Sequence, residues 1–287
     1  MKCNLCPRNC NIDRKANAGF CGQTEKLRIS KVMLHHYEEP IISGNESDIG
    51  SGAVFFTGCN LKCVYCQNEP ISHGNKGKNI SVKKLVKIFK KLEKKGAYNI
   101  NLVTPTHFTN QIIQALDQYK PKIPIVWNSS GYENSEEIAK LKKYVDIYLV
   151  DLKYMNNEIS KRYSGANNYV EKATSSILQM KQNQPIDVIE NGLMKKGVII
   201  RHLILPTHTT DSVECLKFVC NKIGKDSIVS IMSQYEPRYN AVNYPEINRK
   251  ITPLEYKRVV NCAINLDMKN CFVQDLSSAD SKYTPKF

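Results

Sequence analysis

Residues Ala53-Val54-Phe55-Phe56-Thr57-Gly58-Cys59-Asn60-Leu61-Lys62-Cys63-Val64-Tyr65-Cys66 pass from an apolar run through a glycine into three cysteines spaced C-x3-C-x2-C. The apolar part reads as a buried strand, and Gly58 as the tight turn that ends it. The thiols therefore stand on a short loop at the C-terminal end of a strand, where parallel α/β barrels carry their chemistry. Thiolates are soft ligands that stabilise iron–sulfur clusters far better than they serve a hard cation. A [4Fe-4S] cluster has one more iron than this loop has cysteines, so one iron stays open to a small molecule. Zinc sites pair their ligands as C-x2-C and close with four, which makes a zinc knuckle, or a set of buried free thiols, the poorer reading.

A second group, Cys3, Cys6, Cys10 and Cys21, is spaced C-x2-C-x3-C-x10-C, with Pro7-Arg8 inside it and Gly19-Phe20-Cys21-Gly22 closing it. Four ligands make a closed site, and spacing alone leaves structural zinc and a second iron–sulfur cluster both open. Alternating apolar residues at Leu27, Ile29 and Val32 predict a strand of a small lobe. Residues 1–50 are accordingly read as a Cys-rich N-terminal lobe, and 51–287 as a barrel with a C-terminal tail, loosely ordered from Ser277 onward. His35 and His36 are read as surface or core residues. Cys215, Cys220, Cys262 and Cys271 fall on predicted helices and a late strand and read as core filler.

After the cysteine loop, strand and helix patterns alternate, which is the signature of βα units on a parallel sheet. Strands are predicted over Ala53–Phe56, Ile100–Val103, Ile123–Val126, Ile147–Val150, Val198–Leu205 and Ile228–Met232. Helices fit between them at 81–95, 109–119, 135–144, 168–181, 211–223 and 253–266. Asn191-Gly192 between apolar residues predicts a hairpin ahead of the fifth strand. The fold class is α/β, a partial (β/α)6 TIM-type barrel with a small Cys-rich N-terminal lobe.

The formal charge of +14 invites a nucleic-acid reading. Much of it sits on the predicted helix Ser81–Lys95, where Val82, Leu85, Val86, Phe89 and Leu92 recur at helical spacing, so the lysines read as its wet face. No aromatic-laced basic stretch accompanies them, and a nucleic-acid partner is not expected. No run approaches the roughly 20 apolar residues that cross a bilayer. The start lacks a hydrophobic signal region, and cysteines at metal-ligand spacing need a reducing compartment, so the expected location is the cytoplasm.

The loop spacing, with aromatic Tyr65 just before its last cysteine, resembles the signature of the radical S-adenosylmethionine (SAM) superfamily. Within it the chain resembles pyruvate formate-lyase activating enzymes of the PflX type. That likeness extends over the N-terminal CxxCPRxC, Cys66-Gln67-Asn68, Asn99–His107, Asp151-Leu152-Lys153 and Ile200-Arg201-His202-Leu203. The resemblance implies a [4Fe-4S] cluster on Cys59, Cys63 and Cys66, with SAM chelated at its open iron. It implies reductive cleavage of SAM to methionine and a 5′-deoxyadenosyl radical that takes hydrogen from a substrate. The implied substrate is a glycine in a protein or peptide partner such as a glycyl radical enzyme, with a flavodoxin or ferredoxin-type electron donor. A ribosomal peptide, a small metabolite or RNA is the alternative substrate class. A non-catalytic iron–sulfur or zinc binding protein is the alternative from outside enzymology.

Residues at strand ends are the remaining candidates. Many relatives carry Gly-Gly-Glu after the second strand to hold the methionine amino group, whereas this chain has Thr104-Pro105-Thr106-His107. Thr104 and Thr106 are the expected replacements, and His107 is either a ligand contact or a helix cap. Tyr65, Asn128 and Ser129 complete the SAM-binding set. Lys153 is assigned to the SAM carboxylate, and Asp151 to fixing Lys153 or, with Asn128, a monovalent cation that relatives hold with two acids. A strand alternates its faces, so only one of Arg201 and His202 points inward. Arg201 is the choice, as the binder of a substrate or SAM carboxylate.

Overall fold

Every residue of Ser51–Phe56 is buried, as a central strand requires, and the remaining strands are laid out around it. The computed structural model describes residues 2–45 and 47–276. The tail from Ser277 lies outside the described residues. In chain order the strands are β1 (Arg28–His35), β2 (Ser51–Phe56), β3 (Lys78–Asn79), β4 (Ile100–Val103), β5 (Ile125–Ser129), β6 (Ile147–Asp151), β7 (Val188–Glu190), β8 (Leu193–Leu203), β9 (Ile228–Met232) and β10 (Cys271–Val273). The helices are α1 (Pro40–Ser43), α2 (Glu69–Ser72), α3 (Val82–Lys94), α4 (Thr109–Gln118), α5 (Ser135–Ala139), α6 (Asn157–Ser164), α7 (Tyr169–Asn183), α8 (Thr209–Phe218) and α9 (Pro253–Asn265).

The sheet order is β10-β9-β8-β6-β5-β4-β2-β1-β3. All pairings from β10 to β2 are parallel, and β1 and β3 add antiparallel strands beyond β2. Among the described residues the sheet does not close, so this is an open, partial α/β barrel. All six expected strands are present, and β10 joins the parallel edge where the late strand was read. Its third strand begins at Ile125 because the preceding residue, Pro124, has no N–H for the ladder and offers only its carbonyl, to Ile100 N–H at 2.9 Å. The strand expected of the small lobe is β1, which pairs with β2 in the main sheet.

Leu85, Phe89 and Leu92 of α3 are buried and its lysines are exposed, as the helical spacing required, and the Ser81 side chain caps it by accepting from Lys84 N–H. The Asn191-Gly192 turn, with φ of 53° and 77°, joins β7 to β8. Helix α5 stops at Ala139, short of the expected Tyr144. The sequence reading did not contain α6; Asn156 caps its start and left-handed Gly165 its end. No helix of the described residues is long and apolar enough to cross a membrane.

Candidate functional site

The loop that follows β2 is held from several sides. Gly58 has φ of 90°, and a Cβ there would collide with the Cys21 carbonyl, so only glycine turns the chain here. The Asn60 side-chain amide donates to the Tyr132 carbonyl at 2.6 Å, and the Val64 N–H to the Tyr163 carbonyl at 2.8 Å. Cys59, Cys63 and Cys66 line one side of a cavity of about 410 Å³. Each sulfur is given a hydrogen bond: Cys59 from Leu61 N–H (3.3 Å), Cys63 from the Ser164 hydroxyl (3.0 Å) and Cys66 from the Ser72 hydroxyl (3.1 Å). Burial raises all three thiols, Cys66 to about 12, and the charges of the three act on one another. A bare buried thiolate is penalised, and a bound cationic centre removes that penalty. Among the described residues no three His, Cys, Asp or Glu side chains converge on a single ion position. A cluster asks for something else, since each thiolate binds its own iron. Three adjacent thiols on a cavity wall, each already given a hydrogen bond, fit such a group.

Charged residues line the same cavity. In the ladder Asp151 of β6 faces Arg201 of β8. Arg201 Nε donates to Asp151 Oδ1 at 2.8 Å, Nη2 to Asn128 Oδ1 at 2.7 Å, and Nη1 to Glu38 Oε2 at 2.9 Å. Glu38 Oε1 accepts from the amides of Asn101 (3.0 Å) and Asn128 (3.1 Å). Lys153 Nζ donates to Asp151 Oδ2 at 2.7 Å. Burial alone would raise the Asp151 carboxyl, but Arg201 and then Lys153 hold it below the usual range. Burial would lower Lys153, yet the Asp151 carboxylate bonded to it outweighs that and raises it. The Lys153 ammonium thus stands charged between a carboxylate and the thiol loop, which suits it to an anionic group of a ligand.

The four N-terminal cysteines lie beside this loop. A Cβ on Gly19 would meet the sulfurs of Cys10 and Cys21 at 3.4 and 3.7 Å, and Cys21 feels the charges of Cys10 and Cys3, and Cys6 those of Cys21 and Cys10. Arg8, inside their motif, reaches out of it. It donates to the carbonyls of Asn60 (2.7 Å), Leu61 (3.2 Å), Ser164 (2.9 Å) and Gly165, and its guanidinium stacks 3.9 Å from the Phe20 ring.

Of the remaining candidates, Tyr65, Thr104, Asn128, Ser129, Asp151, Lys153 and Arg201 all line the cavity. Thr104 has φ of 58°, a left-handed conformation that is costly for a β-branched residue, and its N–H donates to the Asn128 carbonyl at 2.9 Å. Thr106 is turned away from the cavity, its hydroxyl donating to Glu133 at 2.8 Å. His107 is buried with Nε2 2.8 Å from the Thr57 carbonyl, so it anchors the chain ahead of the cysteine loop. Arg201 faces inward, and His202 bonds through Nδ1 to the Leu152 carbonyl at 2.7 Å. The sequence reading missed Glu38, Glu39, Ser72, Tyr154 and Ser164. Pro40 at the start of α1 marks a helix after the Glu38-Glu39 pair, but nothing local announces a contact 163 residues away.

The model of the Radical SAM superfamily matches residues 53–219. An uncharacterized protein of Methanocaldococcus jannaschii, MJ0674, is 34% identical over 277 residues, which cover 93% of this chain and 76% of that protein. The pyruvate formate-lyase-activating enzyme of Clostridium pasteurianum is 26% identical over 178 residues, covering 59% of this chain and 68% of the enzyme. Among solved structures, Streptococcus suis SuiB bound to S-adenosylmethionine aligns with a TM-score of 0.50 at 16% identity, over 76% of this chain. The aligned part is 48% of SuiB, so the chain spans about half the length of that structure, and the likeness is one of fold.

Proposed function

Because this chain belongs to the radical SAM superfamily, we propose that it is a radical SAM enzyme acting on a glycine of a protein or peptide, as a glycyl radical activating enzyme does. The observation that carries the chemistry is the placement of Cys59, Cys63 and Cys66 on one wall of the cavity with the charged Lys153 acting on Cys59 and Cys63. The substrate class is supported by the likeness to the Clostridium pasteurianum activating enzyme.

The three cysteines would hold a [4Fe-4S] cluster. The chemistry supplied there by the bound cluster and SAM is one-electron cleavage to methionine and a 5′-deoxyadenosyl radical, which takes hydrogen from the substrate. Lys153 receives the SAM carboxylate, and Asp151 keeps its ammonium charged and aimed. The backbone at left-handed Thr104, with Ser129 and Tyr65, lines the space for the rest of SAM. Leu61, Phe56 and Ile71, which also line the cavity, keep water from the reacting groups. The four N-terminal cysteines hold a second metal centre, zinc or iron–sulfur, and the protein works in the reducing cytoplasm with a flavodoxin or ferredoxin-type donor.

The test is anaerobic incubation of the reconstituted protein with SAM, a reductant and candidate glycyl radical enzymes of the same cell, followed by EPR. A glycyl doublet with 5′-deoxyadenosine formed in step supports the reading. 5′-Deoxyadenosine without the doublet in any partner moves the substrate to another class. No 5′-deoxyadenosine at all overturns the enzyme.

A further inference from the structure

The resemblance implies a monovalent cation held by Asn128 and Asp151, and the two side chains do not offer it a place. Asp151 Oδ1 accepts from Arg201 and Oδ2 from Lys153, while Asn128 Oδ1 accepts from Arg201. A metal ion needs those oxygens as lone-pair donors, and two positively charged groups, the Arg201 guanidinium and the Lys153 ammonium, already sit on them. Glu38 makes this arrangement possible. It holds the far side of the same guanidinium at 2.9 Å, so Arg201 is gripped from β5, from β6 and from the segment after β1. With three of its donors bound to three different partners, the guanidinium has no freedom to swing towards a ligand carboxylate.

From this geometry we infer that Arg201 is the resident cation of the site, doing covalently what a bound sodium or potassium ion would do, so that ligand binding here is independent of monovalent cations. The guanidinium cannot deprotonate and cannot dissociate. It neutralises Asp151 permanently, orients Asn128 through its amide oxygen, and leaves the Lys153 ammonium for an incoming carboxylate. Glu38, Glu39 and Asp151 all lie within ion-pair distance of Arg201, and burial raises both glutamates. A buried guanidinium among carboxylates is expensive to assemble but strongly destabilising to break, which fixes the arrangement once folded.

The inference rests on the SAM-binding reading for only one of its two measurements. The first is thallium-205 NMR of the anaerobically reconstituted chain in a tetramethylammonium buffer, titrated with thallium(I) as a potassium surrogate. Wild type is expected to show no saturable thallium binding, and Arg201→Met to acquire a site. The second is SAM affinity by calorimetry in potassium, sodium and tetramethylammonium salts. Wild-type affinity should agree within about twofold across the three, while Arg201→Met should bind about tenfold more weakly in tetramethylammonium than in potassium. Saturable thallium binding by wild type that Asp151→Asn removes overturns the inference, as does a wild-type SAM affinity that depends more than about fivefold on potassium. Were SAM not bound in any salt, the SAM reading would fall and the thallium titration would still decide the role of Arg201. Were Arg201→Met not to fold, the wild-type measurements decide it alone.

Discussion

The Ser164 hydroxyl donates to Cys63 Sγ at 3.0 Å, and it stands at the end of a chain of hydroxyls. Because the Ser164 proton is committed to sulfur, Tyr154 must donate to Ser164 Oγ (2.8 Å), and Tyr65 in turn to Tyr154 (2.6 Å). Two phenols and a serine therefore point their positive ends in series towards one thiolate, each polarising the next.

Hydrogen bonds to cluster sulfurs stabilise the more negative, reduced state and raise the reduction potential. Ser164→Ala removes the final donor and Tyr154→Phe the one that strengthens it. Both variants should retain cluster iron and show a more negative potential in an EPR-monitored redox titration, Ser164→Ala by the larger amount. An unchanged potential in Ser164→Ala would mean that the hydroxyl does not reach the ligated sulfur.

Arg8 ties the N-terminal cysteine motif to the backbone of the cluster loop through four carbonyls, two in the loop and two at the end of α6. Lysine has the charge but not the planar fork, so Arg8→Lys cannot serve these carbonyls together. We expect Arg8→Met to cost about 2–3 kcal/mol of stability, part of the sum for charged hydrogen bonds because the side chain is half-exposed. Iron retained at Cys59, Cys63 and Cys66 after reconstitution should fall with it. Denaturant titration and iron analysis check the two effects, and full iron content with normal stability would remove Arg8 from the site.

How much of this could be read from the chain depends on whether a feature is local. The cysteine loop, the strand before it, Gly58 and the Asn191-Gly192 hairpin are each specified by neighbours in sequence, and all appear where expected. Helix α6 was not legible because only Ile159 and Tyr163 mark an apolar face in Asn157–Ser164, too few for a period. With α6 went Ser164, the donor to Cys63. Arg201 was rightly turned inward by strand alternation, yet its partner Glu38 lies on the segment that follows β1, outside the βα units. No periodicity encodes such a contact, and the role expected of Arg201 as a carboxylate binder followed from not seeing Glu38.

His107 provides a pH-dependent test. Burial, opposed by its bond to Thr57, lowers it from 6.5 to about 3. As pH falls below about 6.5 the unfolded chain takes up a proton that the folded chain refuses, so stability tied to this histidine is present above 6.5 and lost on acidification, about 2 kcal/mol of it by pH 5. Glu133, raised by burial to about 7, and Asp211, raised by burial to about 6, run the other way. The whole-protein profile therefore mixes signs, and the difference between wild type and His107→Gln is the clean quantity. Glutamine keeps an N–H for the Thr57 carbonyl and has no proton to gain. Its stability deficit at pH 7 should shrink by about 2 kcal/mol at pH 5 in denaturant titrations. Parallel profiles would show that His107 is charged in the folded protein.

Cys63 and Cys215 are both buried thiols, and the structure gives them different work. Cys63 lines the cavity beside Lys153, whereas Cys215 lies on α8 in the hydrophobic core with Leu216 and Val219. Cys63→Ala removes a cluster ligand and should abolish both the iron–sulfur absorbance of the loop and SAM cleavage. Cys215→Ala leaves a small cavity, costs about 1–2 kcal/mol, and should leave absorbance and cleavage nearly intact. Metal that survives in a chain lacking Cys59, Cys63 and Cys66 belongs to Cys3, Cys6, Cys10 and Cys21. Iron with sulfide would identify a second cluster there, and zinc a structural staple under Arg8. Equal loss of absorbance in Cys63→Ala and Cys215→Ala, with melting curves that show both variants folded, would reject this division of the cysteines.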